Sequence, residues 1–170
     1  GGVGKTTLAK HVFNDRKVVE HFERRIWVCV SDDFDIKTLV KGMIEYATGT
    51  APDLQGLAAL ERRLWELLMQ KRYLIVLDDV WNDQQHKWLE LRNVLSCGST
   101  GSSIIVTTRQ KKIADIMGTL PSHCLEGLSD EHCWTLLQQY AFRPEEQKEY
   151  PELVIIGKQI VKKCVGVPTR

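Results

Sequence analysis

Long apolar runs are missing from this sequence: no stretch approaches the roughly 18 residues that a membrane helix needs. A bias toward charge of one sign is missing too. The 170 residues carry a net charge of +1 with no long acidic or basic block, so composition gives no electrostatic case for a nucleic acid or an anionic membrane surface as partner. Internal repeats and low-complexity segments are absent. Five cysteines, Cys29, Cys97, Cys124, Cys133 and Cys164, are widely spaced, odd in number and include no C-x-x-C pair. They are expected to be reduced, mostly buried thiols of an intracellular, cytoplasmic protein. His11, His21, His86, His123 and His132 show no metal-ligand spacing with cysteine or carboxylate. What remains is 43% hydrophobic and 26% charged, the make-up of a folded globular chain long enough for one good core, or for one domain and part of another.

The most informative residues come first. Gly1-Gly2-Val3-Gly4-Lys5-Thr6-Thr7 is the second half of G-x-x-x-x-G-K-[ST]. In that pattern glycines turn backbone N–H groups inward around the α- and β-phosphates, the lysine reaches the β/γ-phosphates, and the hydroxyl binds Mg²⁺. Those roles fall to Gly4, Lys5 and Thr6. Leu8, Ala9, Val12 and Phe13 follow at helical spacing, as required if Lys5 and Thr6 open a helix whose N-terminus faces an anion. Without support elsewhere, the same residues describe a flexible glycine turn before an ordinary helix. The pattern's first glycine falls two positions before Gly1, so the sequence is expected to be a fragment of a longer protein.

The rest of the chain alternates strand and helix. Arg25–Val30 reads as a buried strand ending at Ser31-Asp32-Asp33. Asp35 is placed to cap a helix bearing Ile36, Leu39, Val40, Met43, Ile44 and Ala47, stopped by Gly49, and Asp53 to cap another with Leu57, Leu60, Leu64, Leu67 and Leu68. Tyr73–Leu77 is a continuous apolar run, expected to be a strand buried on both faces and ending at Asp78-Asp79. A helix around Trp88, Leu91 and Leu95 precedes a third buried strand, Ile104–Thr108, ending at Arg109. Ile113, Ile116 and Met117 suggest a short helix, and His123-Cys124-Leu125 a last strand. This order argues for a parallel sheet with helices on both faces. After Gly127 only helices are expected, one capped by Ser129, then the polar stretch Arg143–Gln147, then one begun by Pro151 and ended by Gly166 and Pro168.

A carboxylate at the C-terminal end of a buried strand is where phosphate-loop chemistry needs one, because the loop and its Mg²⁺ lie at that edge of the sheet. Asp78 fits the Mg²⁺ role. Asp79 is the candidate to orient or deprotonate an attacking water, although an Asp-Asp pair alone reads as a solvated turn. Arg109, at the next strand end, is suited to bind a terminal phosphate and report its presence, although alone it reads as a surface arginine. Trp27, Trp65, Trp81, Trp88 and Trp134 are expected to pack in the core or at its edge.

Taken in order, GGVGKTT, RIWVCVSDDFD, KRYLIVLDDVWND, GSSIIVTTR, CLEGLSDEHCWTLL and GVP resemble the NB-ARC region of plant disease-resistance proteins with leucine-rich repeats. The likeness runs from the phosphate loop to the G-L-P-L region. Trp81 after Leu77-Asp78-Asp79-Val80, and the run Trp27–Ser31, are similar to the subgroup with an N-terminal coiled coil rather than a TIR domain. The resemblance implies a P-loop NTPase sheet lacking its first strand over residues 1–127, then the start of a helical ARC subdomain over 128–170. It also implies an ADP/ATP switch in an intracellular immune receptor, with weak ATPase activity that resets it, and Mg²⁺ as cofactor. Intramolecular coiled-coil and leucine-rich-repeat domains would be partners, and a homo-oligomer the active form.

Residue by residue, the resemblance assigns Gly1, Gly2, Val3, Gly4, Lys5, Thr6 and Thr7 to the nucleotide, Thr6 and Asp78 to Mg²⁺, Asp79 to hydrolysis, Arg109 to γ-phosphate sensing and Pro168 to packing near adenine. The sequence departs from the family at its ends: the strand before the loop is absent, Val167 replaces leucine, and Thr169-Arg170 stands where leucine and alanine are usual. In the family's sheet the missing strand is central, so the fragment alone is expected to fold poorly and bind nucleotide weakly. Two other readings remain open. A partitioning-type turnover ATPase needs a lysine just before Gly1 and a different strand-end signature. A nucleotide-inert interaction module sits poorly with Lys5, Thr6, Asp78 and Arg109 all being present.

Overall fold

In a computed structural model of the chain, which describes residues 2–30, 34–141, 151–164 and 166–167, the apolar runs become the strands of a parallel sheet. β1 (Arg24–Cys29), β2 (Tyr73–Val80) and β3 (Ser103–Thr108) are hydrogen-bonded in the order β1-β2-β3. Ile26 lies opposite Ile75, and Ile75 opposite Ile104. Parallel neighbours need long crossovers, and helices supply them. α1 (Lys5–Asn14) and α2 (Arg16–His21) precede β1, while α3 (Ile36–Thr48) and α4 (Leu57–Leu68) link β1 to β2. α5 (Gln85–Val94), closed by a 3-10 turn at Leu95–Cys97, links β2 to β3, and α6 (Lys111–Met117) follows.

The middle strand divides its side chains by parity. Ile75 and Leu77 join Ile26, Val28 and the inner faces of α3, α4, α5 and α6, while Leu74 and Val76 meet Ala9 and Phe13 of α1. All four β2 residues are at most 2% exposed, and burial of such a side chain contributes about 1.5–3 kcal/mol. That is why Tyr73–Leu77 shows no polar alternation. α3 has the ends its sequence specifies. The Asp35 carboxylate accepts from the Thr38 N–H at 2.8 Å and hydroxyl at 2.6 Å, which holds it below the usual carboxylate range, and Gly49 closes the helix at φ 77°.

Several expectations need correction. Asp53 caps nothing: α4 starts at Leu57 behind Gly56, with residues 51–55 outside any regular element. β3 is only half-buried at Ile104, Ile105 and Val106, because among the described residues it pairs on one side only. His123–Leu125 forms no strand, having no ladder partner among the described residues. On α1, Ala9 and Phe13 are buried but Leu8 and Val12 are 42% and 37% exposed, so its apolar face is wider than the surface it covers. Of the cysteines only Cys133 is buried, while Cys29 and Cys124 are exposed. Ser31–Asp33 and Arg143–Gln147 lie outside the described residues.

Tyr73 closes the base of the sheet. Its hydroxyl donates to the Leu95 carbonyl at 2.6 Å, and burial, with Cys97 nearby, pushes the phenol up to about 12. A raised folded-state value means that the contribution is complete below the unfolded value near 10 and is lost as pH climbs from 10 toward 12. Melts across that range should show an alkaline loss that Tyr73→Phe removes, and at neutral pH Tyr73→Phe should cost about 0.5–1.5 kcal/mol.

The described residues from 6 to 122 form one compact unit, and those from 123 onward group with residues 2–5 in a second. In the second, α7 (Asp130–Ala141) and α8 (Pro151–Cys164) pack together. The Ser129 hydroxyl accepts from the His132 N–H at 3.3 Å, capping α7. Gly157 lets α8 approach α7, since a Cβ there would stand 2.7 Å from Trp134 Cζ3 and 3.3 Å from Leu137 Cδ2. Gly157→Ala should therefore destabilise this unit. Overpacking costs about 1–3 kcal/mol, against a gain of about 1 in helix propensity, and a lowered thermal midpoint would register the difference.

Candidate functional site

The phosphate-loop residues take the backbone that their glycines permit. Gly2 and Gly4 sit at φ 83° and 91°, in the left-handed region open to glycine at little cost. A Cβ on Gly4 would meet nothing within 4 Å, so conformation and not crowding selects glycine there. Lys5 begins α1, leaving the first N–H groups of Lys5, Thr6 and Thr7 without intrahelical acceptors. Such an N-terminus suits an anion.

At the carboxyl end of β2 the ladder breaks. Leu77 pairs with Val106 but Val80 pairs with Thr108, so three steps along β2 match two along β3. The extra residue is a β-bulge, and Asp79 takes it up at φ 58°, a conformation that aspartate tolerates better than most residues. The bulge separates two consecutive carboxylates. Asp78 is 5% exposed and faces inward, where its Oδ1 accepts the Thr6 hydroxyl at 2.9 Å and the Thr107 hydroxyl at 2.6 Å. Asp79 leaves the ladder; its N–H donates to Thr107 Oγ1 at 2.8 Å, and its carboxylate meets Arg109 Nε at 3.4 Å. The Arg109 guanidinium also lies over the Trp81 ring, 4.8 Å from its centroid.

The structure thus brings Thr6 to Asp78 and Asp79 to Arg109, with the Thr107 hydroxyl joining the Asp78 carboxylate to the Asp79 backbone N–H. Gly2, Val3, Gly4 and Lys5 group with the other compact unit, although α1 is continuous from Lys5 into Thr6. Gly1 and Pro168 lie outside the described residues. Thr107 is the residue that sequence reasoning missed. A threonine in a strand is unremarkable by pattern, and only its register opposite the bulge turns its hydroxyl into a link between Asp78 and the Asp79 backbone. Trp81, expected to pack in the core or at its edge, is 37% exposed with its ring against Arg109.

A glycine loop opening a helix, a parallel sheet, and a buried acid at the carboxyl end of its middle strand facing that helix's threonine define a P-loop NTPase-like α/β domain. A profile of the NB-ARC domain matches residues 1–147, and the chain belongs to that family, a nucleotide-binding module. Among known proteins the chain is similar to the disease resistance protein RGA2 of Solanum bulbocastanum, 54% identical over 170 residues that make up 99% of this chain and 17% of that protein. It is 52% identical over 168 residues to the putative disease resistance protein RGA4 of the same species, again covering 99% of this chain and 17% of the relative. With the disease resistance protein RPP13 of Arabidopsis thaliana it shares 37% identity over 175 residues, 99% of this chain and 21% of that protein. No helix among the described residues is long and apolar enough to cross a membrane.

Proposed function

We propose that this chain is the nucleotide-holding part of an ADP/ATP switch in a plant intracellular immune receptor, with slow ATP hydrolysis resetting the signalling state. The observation that carries this reading is the Thr6–Asp78 contact. It joins the first turn of the helix after the glycine loop to the acid at the end of the middle strand, 72 positions away in sequence. Gly1, Gly2, Val3, Gly4 and Thr7 would surround the phosphates with backbone N–H groups, and Lys5 would meet the β/γ-phosphates. Thr6 and Asp78 offer only hard oxygen donors, the kind that Mg²⁺ takes, and would hold that ion. When bound, Mg²⁺ would neutralise the charge that collects on the phosphates. Asp79 would orient or deprotonate the attacking water, Arg109 would bind the γ-phosphate, and Pro168 would pack near the adenine.

Residues 1–127 would form the nucleotide-binding domain and 128–170 the beginning of a helical ARC subdomain. The relatives are named disease resistance proteins, which supports the immune-receptor reading; in that reading coiled-coil and leucine-rich-repeat domains of the parent would be intramolecular partners in the cytoplasm, with a homo-oligomer as the active form. The test is the nucleotide that survives purification of the parent protein. ADP is expected in the native protein and absent from Lys5→Ala, because the lysine would place a full positive charge at the β-phosphate. Equal ADP in both, or none in either, would overturn the assignment.

A further inference from the structure

Trp81, Arg109 and Asp79 form one contact at the carboxyl end of the sheet. Arg109 Nε stands 3.4 Å from the Asp79 carboxylate, with the two side chains 46% and 44% exposed, and the Trp81 ring lies against the same guanidinium at 4.8 Å. A half-exposed ion pair of this kind is weak and easily exchanged, whereas a guanidinium stacked on an indole keeps its N–H edge free for a planar acceptor. The ring therefore fixes the place of the cation without fixing its partner. Trp81 follows the bulge at Asp79 by two residues, so its position is tied to the same backbone distortion that separates the two carboxylates.

We propose that Trp81 is a positioning residue that holds Arg109 where it exchanges the Asp79 carboxylate for a terminal phosphate, and thereby sets the preference for triphosphate over diphosphate. This rests on the nucleotide reading above and assigns it a specificity determinant. With ADP bound, Arg109 stays on Asp79. With ATP bound, Arg109 turns to the γ-phosphate while still stacked, and the Asp79 carboxylate is released toward water.

The test titrates Mg²⁺-ATP and Mg²⁺-ADP separately into the native parent protein, Trp81→Leu and Trp81→Phe. Trp81→Leu should reduce the ATP-over-ADP affinity ratio about two- to fivefold through weaker ATP binding, with ADP affinity unchanged, and Trp81→Phe should restore most of it. In the native protein the Arg109 Nε–H resonance should carry a ring-current shift in both nucleotide states, so the test survives if Trp81→Leu does not fold. An unchanged ratio in Trp81→Leu, equal loss of ATP and ADP affinity, or an Arg109 resonance without ring-current shift would overturn the proposal. Absence of nucleotide binding by the native protein would instead overturn the reading on which it rests.

Discussion

Asp78→Asn is expected to weaken Mg²⁺-dependent nucleotide binding by about 100-fold or more while leaving the fold intact. Loss of partners that merely orient metal ligands already costs about 10–100-fold, so removing a ligand's charge belongs at or beyond the upper end. The fold should tolerate the change because the asparagine Oδ1 still accepts the Thr6 and Thr107 hydroxyls. Asp78 is 5% exposed and makes no ion pair among the described residues, so the substitution also removes a buried charge that lacks a compensating cation. Asp78→Ala is the contrasting variant. It leaves both hydroxyls without that acceptor, at about 1–3 kcal/mol for each one stranded in the interior. Calorimetric titration with and without Mg²⁺, beside a thermal melt, separates the two. Wild-type affinity in Asp78→Asn would remove Asp78 from the metal site.

Asp79 should separate backbone strain from hydrolysis in three variants. At φ 58° a non-glycine residue carries about 1–2 kcal/mol of backbone strain, and asparagine bears this conformation about as well as aspartate. Asp79→Asn should melt with the native protein, and Asp79→Gly should melt at or above it. Asp79→Ala should melt below both, since alanine has neither a side-chain hydrogen bond nor glycine's freedom. The ion pair lost with Arg109 contributes at most about 1 kcal/mol at this exposure and does not change the order. All three should lose hydrolysis by about 100- to 10,000-fold, the usual contribution of a general base, while retaining nucleotide. Hydrolysis persisting in Asp79→Asn would show that another group activates the water.

Much of the fold was legible because burial leaves a pattern. Tyr73–Leu77 sits in the middle of the sheet and must be apolar on both faces, and α3 carries its own start and stop in Asp35 and Gly49. Expectations failed where the decisive partner was distant. A strand at His123–Leu125 requires a neighbour that periodicity does not reveal, and an aspartate at position 53 is equally at home in an irregular segment. The site divides in the same way. Thr6, Asp78, Asp79 and Arg109 could be named because loops and strand ends advertise themselves by composition. Thr107 could not, because its contribution comes from the bulge: one extra residue in β2 places its hydroxyl between the Asp78 carboxylate and the Asp79 N–H. Nor does a tryptophan after two acids announce which cation it will stack on.

The most direct test of the switch is the steady-state turnover of Mg²⁺-ATP by the native parent protein, measured together with the ADP that remains bound. A switch requires turnover well below about 1 per second with ADP retained, because the diphosphate state must persist between signals and typical enzymes run at about 1–1000 per second. Tens of turnovers per second with free release of ADP would contradict it and make the protein a turnover ATPase.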